Sequence, residues 1–353
     1  TDAYNNYSGN EAVWWTFRKA KKFFDVVTYT GDGTNGRQIS HNLGSVPGML
    51  IVKRTNSSDD WRVFHRSQSN KYANLNSTFQ FQTDGGNVFG NPSNGTATAP
   101  TSTHFTVDGG DSAVNGNGST YVAYLFAHND SGDGGFGPDS DQDIIKCGSY
   151  STNSSADASI NLGFEPQWVM FRPYDDTSDW KIIDNMRGFV ATPASGNYNK
   201  QLAANSSGAE ADNDNIKITS TGFEHVSGFA SKNFIYMAIR RGPLAAPEDA
   251  TKVFSVATYS SNGNSNIFNT GFDVDMNINT RTGATQKYNI ARLLGDGYLK
   301  TNTSGAETND LDYKFFDNRS NVLDIKTNFW GTTTDTVSWS WKRAPSYFDV
   351  VAY

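Results

Sequence analysis

The feature that most constrains this chain is that its two ends repeat each other. Residues 13–29 and 337–353 align without a gap at a constant offset of 324, and 8 of the 17 paired positions are identical. Several of the other pairs are conservative, such as Phe17 with Trp341. Self-similarity at a fixed period is typical of chains built from repeated structural units. We therefore expect a tandem-repeat protein.

The repeated segment consists of the aromatic strand that closes one unit and the strand that opens the next, and we call it the aromatic join. Two weaker copies of this join lie inside the chain, and the strand that opens a unit recurs near residues 25, 143, 252 and 349. Three units of about 108 residues account for the offset. The predicted segments are the end of a preceding unit, three complete units and the start of a further unit, at residues 1–24, 25–130, 143–243, 252–345 and 346–353. We expect an excerpt of a longer repeat-bearing polypeptide.

The motif Asn-Leu-Gly-x-x-Pro recurs inside the units, at residues 42–47 and 161–166, with a degraded version that begins at Asn269. Glycine favours the left-handed bend of a turn, and proline fixes φ where no strand hydrogen bond is needed. The motif therefore predicts a turn that enters a strand. A tryptophan follows it in the first two units, at Trp61 and Trp180.

The periodicity of the chain indicates strands. Its apolar runs are short, rich in Val, Ile, Tyr, Phe and Trp, and bounded by Gly, Asn, Asp and Pro. No segment keeps a helical i, i+3, i+4, i+7 pattern over three turns. We predict an all-β chain of tandem antiparallel, jelly-roll-like β-sandwich repeats, with a small closed barrel as the alternative. Val337, Trp339 and Trp341 alternate with polar residues, which predicts one apolar and one polar sheet face.

Composition narrows the class of function. The net charge is −7 and charged residues make up 18% of the chain, which disfavours nucleic-acid binding through a broad basic surface. Apolar runs are far shorter than the ~20 residues needed to span a bilayer, so we expect no membrane insertion. Cys147 is the single cysteine, which excludes an intrachain disulfide, and its strand-like surroundings predict a buried residue.

No pattern of residues indicates catalysis. The five histidines share no ligand-like spacing; they are His41, His65, His104, His128 and His225. Nucleophile-elbow, phosphate-loop and zinc signatures are absent from the sequence, so we expect no enzyme and no cofactor. A pair of carboxylates could hydrolyse glycosides, but no pair stands out among 36 acidic residues.

Two candidate binding features have competing interpretations. The linker from Asp130 to Asp143 holds Asp139, Asp141 and Asp143, whose hard oxygen ligands suit Ca²⁺, although a solvated acidic linker is the alternative. Trp61 and Trp180 could stack on sugar rings, with packing in a core or between domains as the alternative.

Together, the Asn-Leu-Gly-x-x-Pro motif, Trp-x-x-x-Asp-x-x-Arg-Gly, Leu-x-x-Asn-x-x-x-Ala-Glu and the aromatic closing strand resemble a repeat family of tailed bacteriophages. The family occurs in large virion-associated proteins of phages that infect marine bacteria, including cyanobacteria. The second unit fits it best, through Trp180, Asp184, Arg187, Gly188, Leu202, Asn205, Ala209 and Glu210. The first unit departs at His65 and Arg66, and the third lacks the proline and the tryptophan.

This resemblance implies a non-enzymatic structural protein of the virion, in its tail, fibre or outer surface. Identical chains, other virion proteins and a host-surface glycan are the implied partners, and no catalytic residue is implied. The alternatives are a carbohydrate-binding, lectin-like adhesin and the non-catalytic part of a polysaccharide depolymerase. From the residues alone, we expect the apolar strands at 121–127, 234–239 and 337–341 to be sheet edges or faces that neighbouring units or identical chains bury, which predicts an oligomer.

Overall fold

The computed structural model describes residues 13–130, 132–189, 191, 199–213, 215–242, 245–260, 266–281, 287–295, 297–309, 322–325 and 335–351. Short runs of β-branched and aromatic residues between glycine- and asparagine-rich turns form antiparallel strands throughout these ranges. The predicted all-β sandwich fold is confirmed. In this part of the chain, no helix is long and apolar enough to cross a membrane.

The first unit is built on a six-stranded antiparallel sheet. Its elements are β1 (Phe24–Thr30), β2 (Arg37–Ser40), β3 (Pro47–Arg54), β4 (Arg62–His65), β5 (Lys71–Asn74), β6 (Gln82–Thr83), β7 (Gly90–Asn91), β8 (Thr96–Ala97), β9 (His104–Val107), α1 (Ser112–Asn115) and β10 (Thr120–Ala127), with 3-10 turns at Arg66–Gln68 and Pro92–Asn94. The sheet has the order β1-β10-β3-β4-β5-β6, and the pairs β2-β9 and β7-β8 form two small sheets.

The second unit has a six-stranded and a three-stranded sheet. Its strands are β11 (Ile145–Ser151), β12 (Ala158–Asn161), β13 (Pro166–Pro173), β14 (Lys181–Asp184), β15 (Lys200–Ala203), β16 (Ala211–Asp212), β17 (Ile216–Thr219), β18 (Gly222–His225) and β19 (Asn233–Arg240). The larger sheet has the order β11-β19-β13-β14-β15-β16, and the smaller has the order β12-β18-β17.

The third unit has the same order in its main sheet, β20-β27-β22-β23-β24-β25, beside the pair β21-β26. Its strands are β20 (Phe254–Ser260), β21 (Asn266–Asn269), β22 (Met276–Arg281), β23 (Lys287–Ala291), β24 (Gly297–Lys300), β25 (Thr308–Asn309), β26 (Val322–Ile325) and β27 (Asp335–Trp341), with 3-10 turns at Ala250–Lys252 and Arg292–Leu294.

Register makes the three main sheets comparable residue by residue. The first residue of each opening strand faces the closing strand in the same way, as Phe24↔Phe126, Ile145↔Ile239 and Phe254↔Trp341. The predicted turn is also confirmed, because Gly44, Gly163 and Gly271 have φ of 73°, 74° and 77°. Pro47 and Pro166 then begin β3 and β13.

The first two main sheets share one core. Alternate residues of β13 and β19 belong to the core of the first unit, namely Trp168, Met170, Ile235, Met237 and Ile239. The residues between them line the core of the second unit, namely Val169, Phe171, Phe234, Tyr236 and Ala238. Both faces of the second sheet are therefore buried, and the two six-stranded sheets pack face to face between the smaller sheets.

The prediction that residues 121–127, 234–239 and 337–341 form open sheet edges is wrong. They correspond to β10, β19 and β27, each of which is paired on both sides within its own sheet. The closing strand of a unit inserts between the first and third strands, and a strand in such a position can be apolar along its length. The edge argument for an oligomer therefore fails.

Polar residues of the third sheet lie on its buried face. Ser338 and Ser340 are buried, and the side-chain amide of Asn277 donates to both hydroxyls at 2.8 Å. The apolar residues that alternate with them, Trp339 and Trp341, are only partly buried. The two predicted faces exist, but the polar one points inward.

Candidate functional site

Trp180 precedes β14 and is enclosed between the first two sheets, with 1% of its surface exposed. Its indole N–H donates to the carbonyl of Asn74 at 2.9 Å. The guanidinium of Arg172 lies 4.9 Å from its ring centroid, and the ring of Phe81 lies 6.0 Å away. A ring covered in this way cannot stack on a sugar, so that interpretation is wrong for Trp180 and its predicted packing role is confirmed.

Trp61 holds the equivalent backbone position before β4 but is only half-buried. The ring of Tyr124 stacks against it at 6.3 Å, and Nζ of Lys53 lies 6.0 Å from its centroid. Its backbone N–H donates to the side chain of Asn76 at 2.9 Å. Trp61 packs against the shared core, as the packing interpretation predicts.

The backbone N–H of each tryptophan is capped by an asparagine from a later loop of the same unit. The N–H of Trp180 donates to Oδ1 of Asn205 at 2.8 Å, and Asn205 in turn donates to Asp179 at 2.7 Å. Asn76 makes the equivalent bond to Asp60 at 2.9 Å. The first unit carries this asparagine in a shorter loop, residues 75–78, and the Asp-Trp pair that precedes both strands marks the same correspondence in the sequence.

The residues of the Trp-x-x-x-Asp-x-x-Arg-Gly motif form a buried ion pair. Asp184 ends β14 and accepts from Nε of Arg187 at 2.7 Å and from the indole of Trp15 at 3.1 Å. Arg187 also donates to Glu210 at 3.1 Å and lies 5.3 Å from the ring of Trp15. These residues therefore anchor the N-terminal aromatic segment to the end of β14 in the second sheet.

His65 occupies the position in β4 that corresponds to Asp184, and it is completely buried. Its Nδ1 accepts the N–H of Ser67 at 3.3 Å, so Nε2 carries the proton and donates to the carbonyl of Tyr236 at 3.1 Å. Burial, together with the neighbouring charge of Arg66, lowers the pKa of His65 to about 4. A neutral histidine thus links the first unit to β19.

His128 and Cys147 meet next to this contact. Nδ1 of His128 accepts the N–H of Cys147 at 3.1 Å. Burial lowers the pKa of His128 to about 4 and raises that of the Cys147 thiol to about 12. Cys147 is completely buried, as its strand pattern predicts. A thiol with so high a pKa is a poor nucleophile at neutral pH.

The acidic linker residues Asp139, Asp141 and Asp143 line one surface cleft of about 580 Å³, together with the cationic residues Lys146 and Arg240. Lys146 is 3.5 Å from Asp143. Among the residues that the structure describes, no three His, Cys, Asp or Glu side chains are arranged to hold a metal ion. The calcium candidates share a cleft without forming a ligand set.

An ionic network connects the second and third units. Glu165 accepts from Nη1 of Arg343 at 2.7 and 2.5 Å, and Arg343 also pairs with Asp349 at 2.5 Å. Arg241 pairs with Asp275 in the same network. These residues border a cleft of about 550 Å³ that Glu165, Arg241, Arg343 and Asp349 help to line. Their charges are largely paired within the protein.

The aromatic join has the same geometry at both ends of the chain. Lys19 pairs with Asp25 at 2.7 Å, as Arg343 pairs with Asp349. In both copies the alanine after the cation forms an isolated antiparallel bridge, Ala20 with Phe24 and Ala344 with Phe348. The two copies differ in burial, because Asp25 is 3% exposed in its side chain and also accepts the N–H of Asn42, whereas Asp349 is 65% exposed.

A family model described as a domain of unknown function, DUF7483, matches residues 6–243. This chain belongs to the DUF7483 family. The DUF7483 match covers the N-terminal aromatic segment and the two sheets that share a core, and the third unit lies outside it. Among curated proteins, none matches the chain.

Within the DUF7483 region, Arg172 makes a buried polar contact between the two units. It is fully buried on β13, and its guanidinium donates to the carbonyls of Ser77, Thr78 and Phe79 at 3.2, 3.0 and 2.8 Å. Burial lowers its pKa to about 10, which leaves it charged at neutral pH. Removing one partner of a buried charge is strongly destabilising, so these carbonyls and Arg172 fix the position of one unit on the other.

Proposed function

We propose that this chain is a non-enzymatic structural segment of a tailed-bacteriophage virion, in its tail, fibre or outer surface, where it contacts identical chains and other virion proteins. The observation that carries this proposal is the shared core of the first two units. Their sheets are joined by buried contacts at Trp180, Arg172 and His65. A segment of this kind holds its first two units in one fixed arrangement.

The use of the prominent polar side chains supports the same conclusion. Asp184, Arg187 and Glu210 are engaged in anchoring an aromatic segment, and Glu165 and Arg343 join one unit to the next. Side chains of types that could take part in catalysis are thus used to hold parts of the protein together. The join at Asp25 has the same geometry as the join at Asp349, which suits a component made of units held at fixed angles.

The assignment to a phage particle rests on the sequence resemblance. The residues that carry the resemblance in the second unit have structural roles here: Trp180 packs between the sheets, Asn205 caps it, and Asp184 with Arg187 forms the buried ion pair. Such roles agree with a virion protein whose family motifs maintain a scaffold.

Immunogold electron microscopy tests the proposal. Antibodies raised against the recombinant 353-residue chain should label purified particles of the phage whose genome encodes it, at the tail or outer surface. Antibody preadsorbed with the chain serves as the control and should give no label. Label confined to bacterial cell envelopes, with no peptide of the chain detected by mass spectrometry of the particles, would overturn the proposal and favour a bacterial adhesin.

A further inference from the structure

We propose that the cleft of about 550 Å³ between the second and third units binds an acidic saccharide, and that Arg240 binds the carboxylate of that sugar. We call this surface the junction cleft. It lies between the turn at residues 163–165, the end of β19 and residues 343–349. The proposal does not depend on the phage assignment, because it rests on the side chains that line the cleft.

The arginines that line the junction cleft differ in their pairing. Arg343 pairs with Glu165, and Arg241 pairs with Asp275. Arg240, the last residue of β19, forms no ion pair with a carboxylate in the part of the chain that the structure describes. Its positive charge is therefore available to a ligand.

Within the described residues, the contacts that hold Arg240 use few of its hydrogen-bond donors. Its guanidinium lies 5.9 Å from the ring centroid of Phe164, and its Nη1 donates to the carbonyl of Asp143 at 3.4 Å. A guanidinium has five N–H donors in a planar fork that matches a carboxylate through two parallel hydrogen bonds. Burial lowers the pKa of Arg240, so its partial removal from water disfavours the charged form. A bound carboxylate offsets this cost.

The charges near Arg240 determine the side from which an anion approaches. The side chains that line the junction cleft include three arginines and two carboxylates, Glu165 and Asp349, which leaves an excess of one positive charge. Arg240 also lines the neighbouring acidic cleft, together with Asp141 and Asp143. These two carboxylates raise the pKa of Arg240 without pairing with it. An anion therefore reaches Arg240 through the junction cleft, where positive charge prevails.

The other groups in the junction cleft suit a sugar ring. Ser220 and Ser346 supply hydroxyl groups, and Tyr347, which is 42% exposed, supplies an aromatic ring. Hydroxyls both donate and accept hydrogen bonds, and an aromatic ring can pack on the C–H face of a sugar. The volume of the cleft lies within the range of about 300–1,000 Å³ that is typical of small-molecule sites. Together with Arg240, these groups fit a sugar that carries a carboxylate.

Isothermal titration calorimetry of the full chain with trigalacturonate tests the inference. The wild-type chain should bind this trisaccharide saturably and should not bind neutral maltotriose. Arg240→Gln should weaken binding at least tenfold, because it removes a charge-assisted pair of hydrogen bonds. Arg18→Gln is the matched control, because Arg18 is exposed in the N-terminal aromatic segment, and it should leave binding unchanged. Absence of binding at millimolar trigalacturonate, or equal binding by Arg240→Gln, would overturn the inference.

Further probes separate an acidic saccharide from other anions. Inorganic phosphate and the peptide triglutamate should both bind more weakly than trigalacturonate. If phosphate binds as tightly, the cleft is a simple anion site, and if triglutamate does, it is a peptide site; either result overturns the saccharide assignment. Tyr347→Ala should weaken binding of trigalacturonate but not of phosphate, because only the sugar contacts the ring.

Asp141→Asn tests the charge argument in the opposite direction. It removes a negative charge near Arg240, so it should tighten trigalacturonate binding, and weaker binding would contradict the approach through the junction cleft. Circular dichroism establishes that each variant is folded. If Arg240→Gln fails to fold, Arg240→Lys keeps the charge without the planar fork and should also weaken binding. Failure of saccharide binding would leave the particle-labelling result unaffected.

Discussion

At the scale of single residues, Trp61 and Trp180 occupy equivalent positions but differ in burial, and this difference sets their contributions to stability. Trp180→Ala removes a fully enclosed ring and its bond to Asn74, so we expect the free energy of unfolding to fall by about 3–5 kcal/mol. Trp61→Ala should cost about half as much, because its ring is only half-buried. Urea unfolding monitored by circular dichroism measures both values. Equal losses would contradict this assignment of burial.

His65 predicts a dependence of stability on pH. Well above pH 6.5 it is neutral in both the folded and unfolded states, so it does not change stability there. As pH falls from 6.5 toward 4, the unfolded chain binds a proton that the buried, folded-state His65 does not, and stability is lost until both states are protonated. The folded-state pKa of about 4 corresponds to a loss of about 2 kcal/mol between pH 7 and pH 5.

His65→Gln isolates this effect. The variant should be less stable at pH 7 because the bond to Tyr236 is altered, but its loss of stability between pH 7 and pH 5 should be smaller than in the wild type. His128, whose pKa is also lowered to about 4, accounts for part of the remaining loss. Val46→Gln, an exposed change in the turn before β3, should retain the wild-type dependence. If His65→Gln loses as much stability between pH 7 and pH 5 as the wild type does, His65 is not the source of the pH dependence.

At the scale of elements, the two copies of the aromatic join form a natural pair for comparison. Burial by itself raises the pKa of Asp25, but Lys19 and the N–H groups of Asn42 and Val26 together lower it below its usual value. Asp25→Asn should therefore cost about 1–3 kcal/mol, because it weakens a buried, charge-assisted set of bonds. The exposed Asp349→Asn should change stability by less than about 0.5 kcal/mol. Thermal unfolding compares the two variants, and similar losses would show that burial does not distinguish the joins.

The positions of the elements followed from the sequence better than their pairing did. The closing run predicted at residues 121–127 is β10, and Gly44 takes the left-handed φ that its motif predicts. These features depend on side-chain alternation and local sterics. The central place of β10 depends on contacts with β1 and β3, which are distant along the chain and leave no local pattern.

The candidate site was harder to predict for the same reason. Trp180 could be identified as a prominent residue, but its burial depends on Asn74 and Phe81 of another unit. The inward placement of Ser338 depends on Asn277, which supplies the compensating hydrogen bond. In both cases the deciding partner lies far away in sequence.

At the scale of the molecule, the shared core predicts that residues 24–243 unfold together. Hydrogen exchange in increasing urea should give β10 and β19 the same opening free energy, because neither sheet can separate without exposing the contacts of Trp180 and Arg172. Peptides of β24, outside this core, should open independently. If β19 exchanged at much lower urea than β10, the two units would not form one cooperative body.

The position of the closing strand has a consequence for how the protein is made. Among the strands that the structure describes, β1 pairs only with β10, and β10 also joins β1 to β3. During synthesis, the sheet of a unit therefore cannot be completed until its last residues have left the ribosome. Its long-range pairing makes this step slow. A chain that stops within a unit does not keep a shorter sheet; it keeps unpaired strands that are prone to aggregation, so each closing strand acts as a checkpoint for the unit before it.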